Sequence, residues 1–115
     1  MIDVARPDDD FLHSTLGRTG RRVHRLGVAA SYGVGGRDLE AAVEEHGVGY
    51  LYWGSFRTRA FGQAVRALCA RGHRDRLFVV VQSYSRLACL VRPSLQLALG
   101  RLGIERADLL LLGWW

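Results

Sequence analysis

Hydrophobic and polar positions along this chain fall into blocks whose period switches between two and about 3.6 residues, the mark of alternating strands and helices. Gly17 and Gly20 punctuate the stretch from Ser14 to Val23 between short extended pieces, which predicts a tight β-hairpin. Leu26 to Ser31 is a short apolar strand, ended by Gly33-Val34-Gly35-Gly36. From Arg37 to His46 the pattern turns helical: Leu39, Ala42 and Val43 share a face, Asp38 suits the amino end and Gly47 the carboxyl cap. Val48 to Trp53 is a buried strand, and a second helix spans about Thr58 to Arg71, with Phe61, Val65, Leu68 and Cys69 in register and Gly72 closing it. Leu77 to Val81 is β-branched enough to be covered on both faces. A third helix runs from about Pro93 to Leu102, with proline in its first turn, and Leu109 to Leu112 is a last strand.

The order is a hairpin followed by β-α-β-α-β-α-β, which predicts an α/β protein with a parallel sheet and right-handed crossovers. Two architectures satisfy it, an open doubly wound sheet and part of a (β/α)8 barrel, and periodicity does not separate them. Residues 1–13, polar and carrying Pro7, are expected to be a flexible leader ahead of one folded unit at 14–115.

Composition narrows the function classes. Of 115 residues 49% are hydrophobic and 23% charged, which is globular rather than disordered. The net charge is +5, and all sixteen basic residues are arginine. They are spread from Arg6 to Arg106 with no run of five, so a solvated surface is favoured over a nucleic-acid patch. Cys69 and Cys89 have no metal or redox spacing and are expected to be buried thiols in a reducing cytoplasm. The acidic run Asp8-Asp9-Asp10 does not suit a signal peptide, and the longest aliphatic run is far too short for a membrane span.

Three segments carry a resemblance. Leu16 to Gly27, LGRTGRRVHRLG, resembles the opening of the aldo/keto reductases, where a hairpin closes the barrel floor and leads into the first strand. The resemblance continues through Gly35-Gly36 and the helix ending His46-Gly47-Val48, where the family has its ALDAGINFFDTA segment. Leu99 to Leu112, LGRLGIERADLLLL, is similar to its SLRRLGTDYIDLYLLH. The resemblance implies half of a TIM barrel: an N-terminal hairpin, four barrel strands and three helices, against about 250 residues for the complete fold. It also implies that the half supplying much of the grip on the NADPH phosphates and adenine is not in this sequence.

The family's reaction rests on an aspartate, a tyrosine, a lysine and a histidine. The tyrosine donates a proton to the carbonyl as hydride arrives from NADPH, and the lysine, paired with the aspartate, lowers its pKa. Matched to Asp-Thr-Ala-x-x-Tyr-Gly, the aspartate position holds Tyr52 and the tyrosine position Arg57. The Thr-Lys after the third strand becomes Val81-Gln82-Ser83, which puts Gln82 at the lysine, and the histidine of His-Trp-Pro becomes Gly113. Arginine is no proton-donating acid, and no shift of register restores a lysine to a chain without one. Tyr52 and Tyr84, lacking a lysine or carboxylate partner, are expected to be ordinary rim tyrosines.

Other chemistry is weaker. Gly33 to Gly36 stands where a phosphate loop belongs, but the third glycine of a dinucleotide fingerprint is Asp38, and no Walker lysine exists. His13, His24, His46 and His73 fall in separate elements without metal spacing, and Ser55 and Ser83 lack an evident base or nucleophile elbow. Trp53, Trp114 and Trp115 are large apolar groups that call for packing or a partner. The reading is a degenerate half barrel, catalytically inactive alone and with no cofactor expected. It would sit in the cytoplasm, its open sheet edges covered by a second copy or a partner protein. Two alternatives stand: a subunit of an NADPH-dependent oxidoreductase completed by a partner chain, and an arginine-based anion or nucleic-acid binder.

Overall fold

The computed structural model describes residues 11–54 and 59–113 and gives an α/β fold built on two sheets. Strands β1 (His13–Thr15) and β2 (Arg22–His24) form the antiparallel hairpin. Strands β3 (Gly27–Ala29), β4 (Tyr50–Trp53), β5 (Phe78–Ser83) and β6 (Leu109–Leu112) form a parallel sheet in sequential order β3-β4-β5-β6. Helices α1 (Gly36–His46), α2 (Arg59–Ala70) and α3 (Ala88–Leu102) make the three crossovers. Leu16, Arg21 and Thr19 tie the hairpin turn together: the Leu16 N–H donates to the Arg21 carbonyl at 2.9 Å and the Thr19 hydroxyl to the Leu16 carbonyl at 2.6 Å. Gly17 and Gly20 supply its positive φ angles, 49° and 71°. His13, placed in the leader from sequence, is the first residue of β1, and residues 1–10 lie outside the described residues.

All three helices pack on one face of the sheet. Leu39 and Val43 of α1, Phe61, Val65 and Leu68 of α2, and Ala98 and Leu102 of α3 form one buried cluster with Leu51, Trp53, Val79 and Val81. A strand's side chains alternate, so the residues between these face the other way. There Phe78 and Val80 are buried with Val23 of the hairpin, and Tyr50, Tyr52 and Leu109 pack around them. A monotonic strand order with crossovers of one hand puts every helix on the same side, unlike the two-sided cover of a doubly wound sheet. The inner strand β5 is therefore covered on both sides, whereas on β6 Leu111 and Leu112 are exposed.

Element boundaries move where local chemistry outweighs periodicity. The first strand, expected over Leu26 to Ser31, is β3 alone, because Ala30–Tyr32 coil into a 3-10 turn closed by left-handed Gly33 (φ 73°). Helix α3 starts five residues before Pro93. Ser85 Oγ accepts the Leu87 N–H and donates to the Leu87 carbonyl, whose oxygen takes the Leu90 N–H that opens the helix. Pro93 then sits inside the helix and forfeits a single backbone bond in its second turn. This extension also corrects the reading of two buried cysteines: Cys89 lies in the added turn and is exposed, while Cys69 is half-buried against the core.

Candidate functional site

The parallel sheet brings three of the four family-matched positions together. At the carboxyl ends of β4, β5 and β6, the Tyr52 hydroxyl donates to Gln82 Oε1, and Gln82 Nε2 donates to the carbonyl oxygen of Gly113. Register explains the convergence, since Tyr52 pairs with Val80 and Gln82 with Leu111, two residues ahead of Gly113. Tyr84 joins them, its hydroxyl 3.2 Å from that of Tyr52. Arg57, and Ser55 with it, lie outside the described residues, as do Trp114 and Trp115.

Gln82 spends its carbonyl on Tyr52 and an amide hydrogen on Gly113, so the bonds that join these three residues link uncharged groups. Burial pushes the Tyr52 phenol up to about 12, and its contact with Tyr84 adds to the rise. That is opposite to what a proton-donating tyrosine needs near neutral pH. Gly54 makes room for the pair: a Cβ there would collide with the Tyr52 hydroxyl and stand 2.9 Å from that of Tyr84. Among the described residues no cationic side chain contributes to the surroundings of Tyr52, so they supply no positive charge for a developing oxyanion.

The other sequence candidates are dispersed or spoken for. Ser83 is buried, accepts the Ser94 hydroxyl at 3.0 Å, and has no general base beside it in this network. At the start of α1 the Asp38 carboxylate lies back over Gly35, in the space a phosphate would need. His13 and His24, read as belonging to separate elements, face each other across the hairpin with ring centroids 5.2 Å apart. His73 pairs with Glu44 at 3.0 Å. Among the described residues no group of three or more His, Cys, Asp or Glu is placed to hold a metal ion, and no helix is long and apolar enough to cross a membrane.

Two features escaped the sequence reading. The first is Asp108, whose side chain is 3% exposed. Its Oδ2 accepts Arg74 Nη2 at 3.0 Å and the Val79 N–H at 2.8 Å, and its Oδ1 accepts Arg21 Nη1 at 3.3 Å. It thereby joins the hairpin, the loop before β5 and the base of β6. The available signal was its place as the last charge before an uncharged run. The second is the work of the arginines. Arg66 donates to the carbonyls of Gly100 and Arg101, Arg74 to those of Leu77 and Arg106, and Arg76 to that of Val43. Arg71 bridges Glu40 and Glu44, and its hydrogen bond holds the Glu44 carboxyl below the usual range. A planar fork with five donors serves helix ends and loops in a way an ammonium does not.

Comparison with known proteins adds no family: no family model matches the chain, and no curated protein matches it.

Proposed function

We propose that this chain is a half-barrel relative of the aldo/keto reductases that does not perform their reaction and acts as a structural or binding unit, its open edges covered by a second copy of itself. The carrying observation is the convergence of Tyr52, Gln82 and Gly113 at one rim, in neutral form. Three positions chosen from separate segments meet where a barrel enzyme's chemistry is placed, at the carboxyl ends of the strands. One-sided helices and sequential strand order support the barrel half of the reading.

Cover for the edges is argued from exposed apolar surface. Helix α3 is apolar nearly all round, and Leu90 and Leu97 share an exposed flank with Leu87 just before it. Leu112 on the outer strand is 62% exposed. The face of the sheet opposite the helices bounds a hollow of about 320 Å³ lined by Ala29, Tyr50, Tyr52, Val80, Leu109 and Leu111. In a closed barrel that face is interior. An edge strand without charge or proline invites pairing. The chain is assigned to the cytoplasm on the same reading, with no cofactor of its own.

Two measurements on the purified protein test this. With NADPH and a panel of aldehydes and ketones, cofactor oxidation should stay at background; turnover that disappears in Gln82→Ala would overturn the silent-site reading. Light scattering across a concentration series should report a dimer that Leu112→Lys, a change at an exposed position, shifts toward monomer. A cooperative monomer of 12.8 kDa at all concentrations would remove the second copy.

A further inference from the structure

We propose that the hollow on the sheet face opposite the helices binds one small, uncharged aromatic molecule, a role that rests on strand register and not on the half-barrel relationship. The hollow measures about 320 Å³ and is bounded by all four strands of the parallel sheet. An apolar cavity of about 150 Å³ is enough for a benzene ring, so this one has room for two fused rings. A stable protein interface buries roughly 800 Å² on each partner. A hollow of this volume offers far less surface, so its size suits a small molecule rather than a protein face.

Register builds the site. Ala29 pairs with Tyr52, Tyr52 with Val80 and Val80 with Leu109, so four side chains on one face form a row across the sheet. Val80, 3% exposed, is the most deeply buried of the row, with Tyr52 on one side of it and Leu109 on the other. The β3 side is low, because it presents Gly27 and Ala29 to this face while Val28 packs against the helix-side cluster. Both aromatic walls are fixed before a ligand arrives: Tyr50 rests edge to face on Phe78, ring centroids 5.8 Å apart, and the Tyr52 hydroxyl is bonded to Gln82. Rings held in this way offer their faces and edges to a flat aromatic molecule. Among the described residues that line the hollow none is charged, so an ion entering it would give up water for apolar contacts.

Titration of the full chain with 2-naphthol and, separately, 2-naphthoate, by calorimetry at neutral pH, is the test. Saturable binding of one equivalent of 2-naphthol per chain is expected, with the ring proton resonances of Tyr50 and Tyr52 moving on the same isotherm. The carboxylate should bind roughly ten-fold more weakly or worse. Ala29→Leu fills the low side of the hollow and should weaken 2-naphthol about ten-fold or more. Leu111→Ala, at an exposed position of the wall, should weaken it about two- to three-fold and tests the site without touching the buried core. Leu12→Ala trims an exposed leucine before β1, outside the lining, and should leave binding unchanged. Equal weakening by Leu12→Ala and Ala29→Leu would mean general adhesion to apolar surface and would overturn the proposal. So would equal affinity for the two probes, or a lack of saturation in the native protein. The oligomeric state is read separately by light scattering, so failure of the dimer does not touch this result.

Discussion

Replacing Asp108 by asparagine keeps the shape of the most heavily bonded buried carboxylate described and removes its charge. Asparagine with its carbonyl oxygen in the place of Oδ2 still accepts the Val79 N–H and Arg74 Nη2, and turns its NH2 toward the Arg21 guanidinium that Oδ1 served. A hydrogen bond to a charged group contributes about 1.5–3 kcal/mol. Arg74, with 22% of its side chain exposed, keeps a neutral acceptor and should lose about 1 kcal/mol of that; Arg21, at 46%, loses its acceptor but is screened by solvent and contributes under about 1 kcal/mol. Asp108→Asn should therefore cost about 1–2 kcal/mol, a fall in Tm of roughly 5–10 °C for a domain of this size. Asp108→Ala leaves the Val79 N–H and Arg74 without that acceptor and should cost about 3–5 kcal/mol. Urea unfolding followed by circular dichroism at fixed protein concentration and neutral pH measures both, with m unchanged. A double-mutant cycle with Arg74→Gln should return a coupling above about 1 kcal/mol. An Asp108→Asn cost below about 0.5 kcal/mol would refute the claim that this carboxylate fastens hairpin, loop and sheet together.

Two further outcomes concern the rim. In an ultraviolet titration Tyr52 should ionise last, near 12, and Tyr52→Phe should remove that step. Because the folded state holds this proton above the phenol's ordinary value of 10.0, the group stabilises the fold below that value and the contribution is lost as pH rises from there to about 12. Native Tyr52 titrating with the exposed tyrosines would contradict its burial. Gly54→Ala should push the two phenol groups apart for about 1 kcal/mol, the net worth of a hydrogen bond, since the clash is with movable side-chain ends. The Tyr52 step should then move back toward 10.0; an unchanged titration would mean that Tyr84 does not contribute.

The alternation of strands and helices was legible because each helix carries an apolar stripe and each inner strand a run of β-branched or aromatic residues. Leu39 and Val43, Phe61 and Val65, and Val79 and Val81 were picked out by spacing and all lie in the main cluster. What spacing does not encode is the outcome of competing local bonds. Pro93 signals a helix start in one dimension, but a Ser85 hydroxyl working on Leu87 opens the helix a turn earlier. Gly33 reads as a loop residue, yet its left-handed φ also shortens the strand before it. At the rim, residue identities predicted the lack of a lysine, while the bond between Tyr52 and Gln82 depends on a register that only strand pairing fixes. The arginines were the least legible part. A scatter of like residues along a sequence looks like solvated surface, and their assignment to carbonyls of Gly100, Leu77, Arg106 and Val43 requires knowing where helices end in space.

Among the described residues the two faces of the sheet differ in how far they are covered. On the helix side, Leu51, Val79, Val65, Leu68, Leu39 and Leu102 are wholly buried, so that core closes within the chain. On the hairpin side, among the described residues, cover reaches Phe78 and Val80 at the base, with Tyr52 half-buried and Leu111 exposed toward the carboxyl ends. The hairpin is held at the base by Arg21 on Asp108 and Phe78, so it cannot slide up to cover the rest without giving up both contacts. Burying one leucine contributes about 1.5–3 kcal/mol, so Leu90, Leu97, Leu111 and Leu112 together represent a driving force of several kcal/mol toward whatever covers them. That is comparable to the whole stability of a small domain, about 5–15 kcal/mol. On the proposal that a second copy covers this surface, the oligomeric state is the measurement most tightly coupled to the role of the chain.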